Sequence, residues 1–208
     1  MRTAAFCVMA LSGVLGTMQV VADAPSPEMQ AAAQRIAVTT CAACHGPHGV
    51  SYSPKFPRLA AQRDTYIVAQ MKNFKFHKRG DADAIGYMWG MAAPLDDEMI
   101  GGLADYYSRQ SPAAGFAAQP AAVARGKVIY AQGIASSGVP ACVTCHGPGA
   151  EGIADFPRLA GQTPQYLLKQ LQAFHNNMRD AAAMHSVTAG LGTSDMADVA
   201  AFLSSLGP

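Results

Sequence analysis

The sequence predicts an all-α protein built from two homologous domains in tandem. The run Phe-Pro-Arg-Leu-Ala-Ala-Gln at 56–62 recurs as Phe-Pro-Arg-Leu-Ala-Gly-Gln at 156–162, which is an internal repeat with a period near 100 residues. After each run, apolar residues recur at the three- and four-residue spacing of a helix. No stretch alternates apolar and polar residues for long enough to suggest a strand. Two helical modules follow from these observations.

Residues 1–22 have the features of a secretory signal peptide. Arg2 precedes the apolar run Ala4–Val21, and small residues surround Ala22. We therefore expect cleavage after Ala22. An uncleaved membrane anchor is the alternative, since the apolar run is near the lower length limit for spanning a bilayer.

The rest of the chain divides by composition and by the repeat. We predict a first domain at 23–111, a linker at 112–120 and a second domain at 121–208. The linker is rich in proline and alanine with few glycines, so it is expected to be fairly extended.

Each domain is predicted to contain three main helices. Tyr66, Val68, Met71 and Phe74 mark the apolar face of the middle helix of the first domain. Pro164 suits a first helical turn, and both final helices begin with acidic residues, which the helix dipole favours. The predicted helices are Pro27–Thr39, Thr65–His77 and Asp96–Arg109, then Ala121–Gln132, Pro164–Asn177 and Ser194–Leu206.

A Cys-x-x-Cys-His motif occurs once in each domain, at 41–45 and at 142–146. This motif is the attachment signature of a c-type haem, because two thiols three positions apart reach two vinyl groups and the next histidine reaches the iron. A zinc site would bring its cysteine pairs within about 15–20 residues, and a thioredoxin-like site would need a βαβ pattern. The predicted binding residues are Cys41, Cys44, Cys142 and Cys145, with His45 and His146 as iron ligands.

The cofactors predicted from this pattern are two haem c groups attached by thioethers. The remaining cysteine, Cys7, lies in the signal peptide, so attachment uses every cysteine of the mature chain and no disulfide is expected. A domain of about 90 residues buries a modest core. We therefore expect the haem-free chain to be partly unfolded.

The second axial ligand of each iron is sought among methionines and histidines. Aligning the repeats after the motif superimposes Met88 on Met184, each in a predicted loop before the final helix. These two residues are the predicted distal ligands. Met91 remains an alternative in the first domain, and His185 in the second.

In combination, these features resemble the cytochrome c4 family. The likeness consists of two Cys-x-x-Cys-His motifs, each followed by a Phe-Pro-Arg-Leu run, a Tyr-x-x-x-Gln helix and a methionine before the last helix. It covers nearly all of the mature chain. It implies a periplasmic dihaem electron-transfer protein with two class I cytochrome c domains. The sequence departs from the pattern at Ala61, where the second repeat has Gly161, and at Trp89 and Pro94.

The resemblance also implies roles for residues of the Phe-Pro-Arg-Leu runs. The carbonyls of Pro57 and Pro157 would accept a hydrogen bond from the proximal imidazoles. Arg58 and Arg158 would lie near haem propionates, where a guanidinium pairs with carboxylates. Solvated surface charge is the alternative for both arginines.

The function implied is a relay of single electrons between respiratory partners, such as a quinol-oxidising complex and a terminal oxidase, with no chemistry of its own. Peripheral association with membrane complexes stays open. The formal net charge of +1 gives no basic face for nucleic acid. The alternatives are an electron-accepting subunit of a dehydrogenase or oxidase, and a dihaem peroxidase, which would need an open iron position.

A cluster of cations in the first domain is a candidate for steering an acidic partner. It comprises Lys72, Lys75, Lys78 and Arg79. Such a run is otherwise the solvated face of a helix.

Overall fold

The computed structural model describes residues 25–208, and the regular structure within this range is helical. The predicted signal peptide at 1–22 lies outside the described residues. Within them, the strand-like pairings are two isolated bridges. The helices are α1 (Pro27–Ile36), α2 (Ala42–His45), α3 (Asp64–Lys75), α4 (Trp89–Ala92), α5 (Asp97–Ser108), α6 (Pro120–Gln132), α7 (Val143–His146), α8 (Pro164–His175), α9 (Ala182–Ala189) and α10 (Thr193–Ser205).

The longer helices begin at residues suited to capping. The side chain of Ser26 accepts a 3.2 Å hydrogen bond from a backbone N–H in the first turn of α1. Asp96 does the same for α5 at 2.8 Å. Helices α6 and α8 begin with Pro120 and Pro164, whose missing N–H costs nothing at that position.

In the first domain, α1 and α5 pack closely where two small residues meet. Gly102 of α5 lies against Ala33 of α1, which is fully buried, and a Cβ added to the glycine would be 3.0 Å from the Ala33 Cβ. Leu103, Ala104 and Tyr107 continue this face into the core. The small pair allows the two backbones to approach.

In the second domain, α6 and α10 make the corresponding crossing, with the glycine on the other helix. A Cβ at Gly126 of α6 would lie 2.0 Å from the Asp198 carbonyl oxygen of α10. The Arg125 guanidinium also pairs with the Asp198 carboxylate through two hydrogen bonds, of 2.6 and 2.8 Å. Twelve buried apolar residues of this domain form one cluster, with Ala173 and Phe174 buried outside it.

A tight loop follows each Cys-x-x-Cys-His motif and brings the Phe-Pro-Arg-Leu run back over it. Gly46 ends α2 with φ = 75°, a conformation that residues other than glycine rarely adopt. Beyond it, the Leu59 N–H donates to the Gly49 carbonyl at 2.8 Å. In the second domain the Leu159 N–H donates to the Ala150 carbonyl at the same distance.

The two domains meet through a reciprocal pair of glutamines. Gln62 accepts from the Arg158 N–H at 2.8 Å and donates to the Arg158 carbonyl at 2.9 Å. Gln162 makes the same two bonds with Arg58, at 2.8 and 2.9 Å. Both glutamines are buried, so each repeat satisfies the main chain of the other.

The segment between the domains is extended and lies on the second domain. Residues 111–119 form no helix, and the Phe116 N–H donates to the Ser204 carbonyl at 2.8 Å. The Arg58 guanidinium covers the Phe116 ring at 4.0 Å from its centroid. The boundaries proposed from sequence, at 112–120, stay predictions.

Each of the six predicted helices has a counterpart, with ends displaced by up to three residues. The two methionine segments predicted as loops are instead helical. A π-helical turn at Ala84–Met88 runs into α4, and α9 contains Met184. Helix α9 has three alanines, the strongest helix former, in eight residues. Neither segment has the apolar periodicity by which the sequence predicts helices. Within residues 25–208, none of the helices combines the length and apolarity needed to cross a membrane.

Candidate haem-binding sites

Both Cys-x-x-Cys-His motifs lie on helical backbone, which sets the direction of their side chains. In the first domain a π-helical turn at Ala37–Cys41 joins α1 to α2, so the chain is helical from Pro27 to His45. In the second domain the motif forms α7 alone, beginning after Cys142. Residues three and four apart share one helix face, so both thiols and the histidine of a motif point to one side. The four cysteines of residues 25–208 are free thiols.

Each motif histidine is buried and held by one hydrogen bond. His45 Nδ1 donates to the Pro57 carbonyl at 2.9 Å, and His146 Nδ1 donates to the Pro157 carbonyl at 3.1 Å. The resemblance implied both contacts. Desolvation lowers the pKa of both imidazoles, and the proline carbonyl partly opposes this. Each ring therefore stays neutral with its Nε2 lone pair free to bind a metal.

An aromatic ring flanks each of these histidines, and no role for these rings was predicted from the sequence. The centroid of Phe56 lies 6.2 Å from that of His45, and Phe156 lies 6.0 Å from His146, both edge to face. Each is the first residue of a repeated Phe-Pro-Arg-Leu run. The recurrence of this phenylalanine at the start of both runs was the sequence feature from which its role could have been predicted. The two rings restrict rotation of the imidazoles.

In the first domain the structure distinguishes Met88 from Met91 by burial. Met88 is half-buried against the cluster of Phe74, Ala84 and Ala92. Met91 leaves 43% of its surface exposed. The two methionines are three residues apart, on neighbouring turns, and only the first faces the core.

The next residue, Trp89, is fixed on both sides of its ring system. Its indole N–H donates to the Arg79 carbonyl at 2.9 Å. Its ring stacks on that of His77, with centroids 3.9 Å apart and planes 14° apart. The imidazole of His77 is thereby stacked on Trp89 at the surface, whereas Met88 is half-buried.

In the second domain Met184 is half-buried on α9, and its neighbour His185 is engaged elsewhere. His185 Nε2 donates to the Arg179 carbonyl at 2.7 Å. His175, on α8, contacts the Thr188 carbonyl through Nδ1 at 2.8 Å. Of these candidates, Met184 alone has no polar contact through its side chain in the described part of the chain.

The side chain of Arg58 lies at the domain junction, and that of Arg158 lies near Gly207. Arg58 Nη1 donates to the Gly161 carbonyl at 2.7 Å and to the Ala114 carbonyl at 2.6 Å. Arg158 makes one long contact, 3.5 Å, with the Gly207 carbonyl. Arg58 Nη1 is therefore bound to carbonyls of the linker and the second domain. The propionate role implied by the resemblance did not include these contacts.

The basic cluster expected to steer a partner is broken up by the fold. Lys72 pairs with Asp97 at 2.9 Å, and the Lys75 ammonium donates to the Leu95 carbonyl. Arg79 is 3% exposed and belongs to the interior of the domain junction. Treating Arg79 as part of a solvated run was wrong, because its guanidinium is buried against Asp81, Gln70 and, from the second domain, Gln170.

The residues present fit a covalently bound haem in each domain. Both pairs of thiols are unpaired on one helix face, both histidines are neutral and oriented, and a half-buried thioether is available in each domain. This donor set of thiols, imidazole and thioether suits haem iron.

Comparison with known proteins supports a covalently bound haem in each domain. The family model for "Cytochrome c" matches residues 30–108 and again 123–207. A cytochrome c-552 of Acidithiobacillus ferridurans is 40% identical over 189 residues, covering 89% of this chain and 78% of its own. The cytochrome c4 of Azotobacter vinelandii is 35% identical over 205 residues, covering 93% of this chain and 94% of its own.

Solved structures show the same likeness. The cytochrome c4 of Acidithiobacillus ferrooxidans superimposes with a TM-score of 0.76 at 41% identity, over 80% of this chain and 98% of that one.

A further relative, by sequence, is a protein named thiosulfate dehydrogenase electron acceptor, from Thiomonas intermedia. It is 37% identical over 155 residues, covering 71% of this chain and 70% of its own.

Proposed function

We propose, given that this chain belongs to the cytochrome c family and within it to the cytochromes c4, that Met88 and Met184 complete the axial ligation of its two haem irons. The chain is a dihaem electron-transfer protein, a carrier and not an enzyme. The observation that carries the ligand proposal is burial: in each domain one methionine thioether is half-buried without a polar partner, while Met91 is exposed and His185 is bound to a carbonyl.

When bound, each haem c supplies an iron that alternates between Fe(III) and Fe(II) and so holds one electron. Cys41 and Cys44 would anchor the first haem, and Cys142 and Cys145 the second. The proximal histidines are held at a fixed angle by the Pro57 and Pro157 carbonyls. A ligand that cannot rotate keeps the same geometry in both oxidation states, which favours fast electron transfer.

The surroundings of Met88 are apolar, and this bears on the reduction potential of the first haem. Phe74, Ala84 and Ala92 pack beside Met88. An apolar environment disfavours the more highly charged Fe(III) state, and a thioether ligand acts in the same direction. Both effects raise the potential and exclude competing ligands such as water.

We place the protein in the periplasm, exported by residues 1–22. The two motifs for covalent haem attachment and the apolar run Ala4–Val21 support this location. Mass spectrometry of the purified protein should give a mature chain beginning at Asp23 with two haems added. A mass that retains residues 1–22 would show an anchored protein instead.

The proposed partners are a quinol-oxidising complex as donor and a terminal oxidase as acceptor. A second candidate is acceptance of electrons from a dehydrogenase, supported by the likeness to the thiosulfate dehydrogenase electron acceptor. Stopped-flow reduction by each purified donor separates the two. The physiological donor should reduce both haems at a rate that falls with ionic strength if charges steer docking.

Covalent attachment tests the cofactor sites directly. Denatured protein treated with acid acetone should keep its colour, with two haems per chain. Cys142→Ala/Cys145→Ala should retain one haem, assigned to the first domain, and Cys41→Ala/Cys44→Ala should retain the other. A colourless wild-type protein would contradict the assignment.

The methionine ligands have a spectroscopic signature. The oxidised protein should show the weak near-infrared sulfur-to-iron band, reduced by half in Met88→Ala and by half in Met184→Ala. Met91→Ala is the matched control, three residues from Met88, and should leave the band intact. Loss of the band in Met91→Ala alone would transfer the ligand role to Met91.

A further inference from the structure

Two buried arginines from different domains meet at the domain junction. Arg79 and Arg179 are 3% and 5% exposed, and their backbones face each other in an antiparallel bridge. Next to them the Gly80 N–H donates to the Met178 carbonyl at 2.9 Å. We call this group the arginine clamp, and it consists of Arg79, Arg179, Tyr66, Gln70, Gln170 and Asp81.

The clamp is cross-linked between the domains by shared acceptors. Gln70 Oε1 accepts from Arg79 at 3.1 Å and from Arg179 at 2.9 Å. Gln170 Oε1 accepts from Arg79 at 2.9 Å and from Arg179 at 2.7 Å. Arg179 also donates to the Tyr66 hydroxyl of the first domain. Planar guanidinium groups with several fixed donors are suited to such a lattice.

The same two arginines hold the segments that follow the distal methionines. The Arg79 carbonyl accepts from the indole of Trp89, the residue after Met88. The Arg179 carbonyl accepts from the imidazole of His185, the residue after Met184. Two chemically different rings therefore make one equivalent contact in the two repeats.

We propose that Arg79 and Arg179 are positioning residues that hold both distal methionine segments through the domain junction, so that ligation in one domain depends on acceptors in the other. The proposal rests on the assignment of Met88 and Met184 as ligands. Each arginine binds the partner domain through its guanidinium and its own methionine segment through its backbone carbonyl. Loss of the guanidinium contacts is therefore expected to weaken the carbonyl contact, because both belong to one residue.

The clamp also carries excess positive charge. Its single carboxylate, Asp81, pairs with Arg79 at 2.9 Å, and both side chains are 4% exposed. Arg179 is bound to neutral oxygens alone in the described part of the chain. The hold of Arg179 on the first domain therefore depends on how many of these neutral acceptors remain.

The test is a first-domain substitution read out in the second domain. Tyr66→Phe removes one acceptor of Arg179 and leaves the contacts of Arg79 unchanged. In the reduced dihaem protein, each ligand methionine gives its own ring-current-shifted methyl resonance, assigned with Met88→Ala and Met184→Ala. We expect Tyr66→Phe to broaden the Met184 resonance and to raise carbon monoxide binding at the second haem about fivefold, with the Met88 resonance unchanged.

Charge and geometry are separated with two further variants. Arg179→Gln should broaden the Met184 resonance more than Tyr66→Phe does, because it removes the donors of all three contacts. Arg179→Lys keeps the charge but loses the planar fork, so the Met184 resonance should still broaden. Arg125→Gln is the control: its ion pair with Asp198 lies within the second domain, so both resonances should be unchanged.

Two outcomes have distinct meanings. If Met184→Ala leaves the assigned resonance in place, the ligand proposal is wrong. If that resonance disappears in Met184→Ala but stays sharp in Tyr66→Phe and Arg179→Gln, the ligands are right and the clamp is overturned. Haem content is checked in each variant, so that a loss of cofactor is not mistaken for a loss of positioning.

Discussion

The two domains carry their proposed methionine ligands on different backbone structures. In the first, the residues leading to Met88 form a π-helical turn that changes into the short helix α4. In the second, Met184 lies within the uninterrupted helix α9. The apolar clusters also differ, with two in the first domain and one in the second. The second domain is thus the more uniform of the two, although each domain offers one half-buried methionine.

The helix crossing provides the first way to test this comparison, and the largest expected effect. Gly126→Ala places a methyl group 2.0 Å from the Asp198 carbonyl, a backbone atom that cannot turn aside. We expect a loss of about 3 kcal/mol in the free energy of unfolding. Gly102→Ala meets side-chain atoms at 3.0 Å and gains helix propensity, so its net cost should be below about 1 kcal/mol.

Denaturant unfolding of the two haem-loaded variants, followed by circular dichroism, measures both costs. The two glycines occupy the same kind of crossing on opposite helices, so each variant is the control for the other. Equal losses would mean that the two crossings are equally tight, contrary to the geometry.

Two buried tyrosines give a smaller contrast. Tyr130 donates its hydroxyl to the Gly147 carbonyl, whereas the Tyr107 hydroxyl lies beside the Cys41 thiol, a weak partner, and makes no other hydrogen bond within residues 25–208. Burial raises the pKa of both hydroxyls, so both stay neutral in the physiological range. Tyr130→Phe leaves a carbonyl unpaired and should cost about 1.5 kcal/mol, while Tyr107→Phe should be close to neutral. Thermal unfolding of the pair checks this, and a larger loss in Tyr107→Phe would contradict it.

The smallest predicted difference concerns access to the iron. An external ligand must displace a methionine, and this requires local opening of the segment that holds it. The interrupted helix around Met88 should open more easily than α9, by about 1 kcal/mol or fivefold. Carbon monoxide should therefore bind slowly to the reduced protein, and faster at the first haem. Hydrogen peroxide turnover should be negligible. Faster binding at the second haem would reverse the comparison.

Much of the site was predictable because its signals are local. The spacing of two thiols and a histidine, and the recurrence of Phe-Pro-Arg-Leu, are carried by a few neighbouring residues. Met88 and Met184 follow from aligning the two repeats. Local pattern did not predict the helical state of the methionine segments, because they are short and their apolar residues lack a clear period.

The sequence by itself determined two helical domains and two Cys-x-x-Cys-His motifs for two haems, and it predicts one histidine and one methionine ligand for each iron. Only the tertiary structure decided the roles of the arginines. Arg79 follows two lysines and a histidine and looks solvent-exposed in sequence, yet it is buried against Asp81 and Gln70 of its own domain and Gln170 of the other. Arg58, in a repeated motif, instead binds carbonyls of the linker and the second domain. The reason is physical: a buried guanidinium needs several acceptors, and those from the linker and the other domain lie about 50 to 100 residues away, beyond the reach of any local pattern.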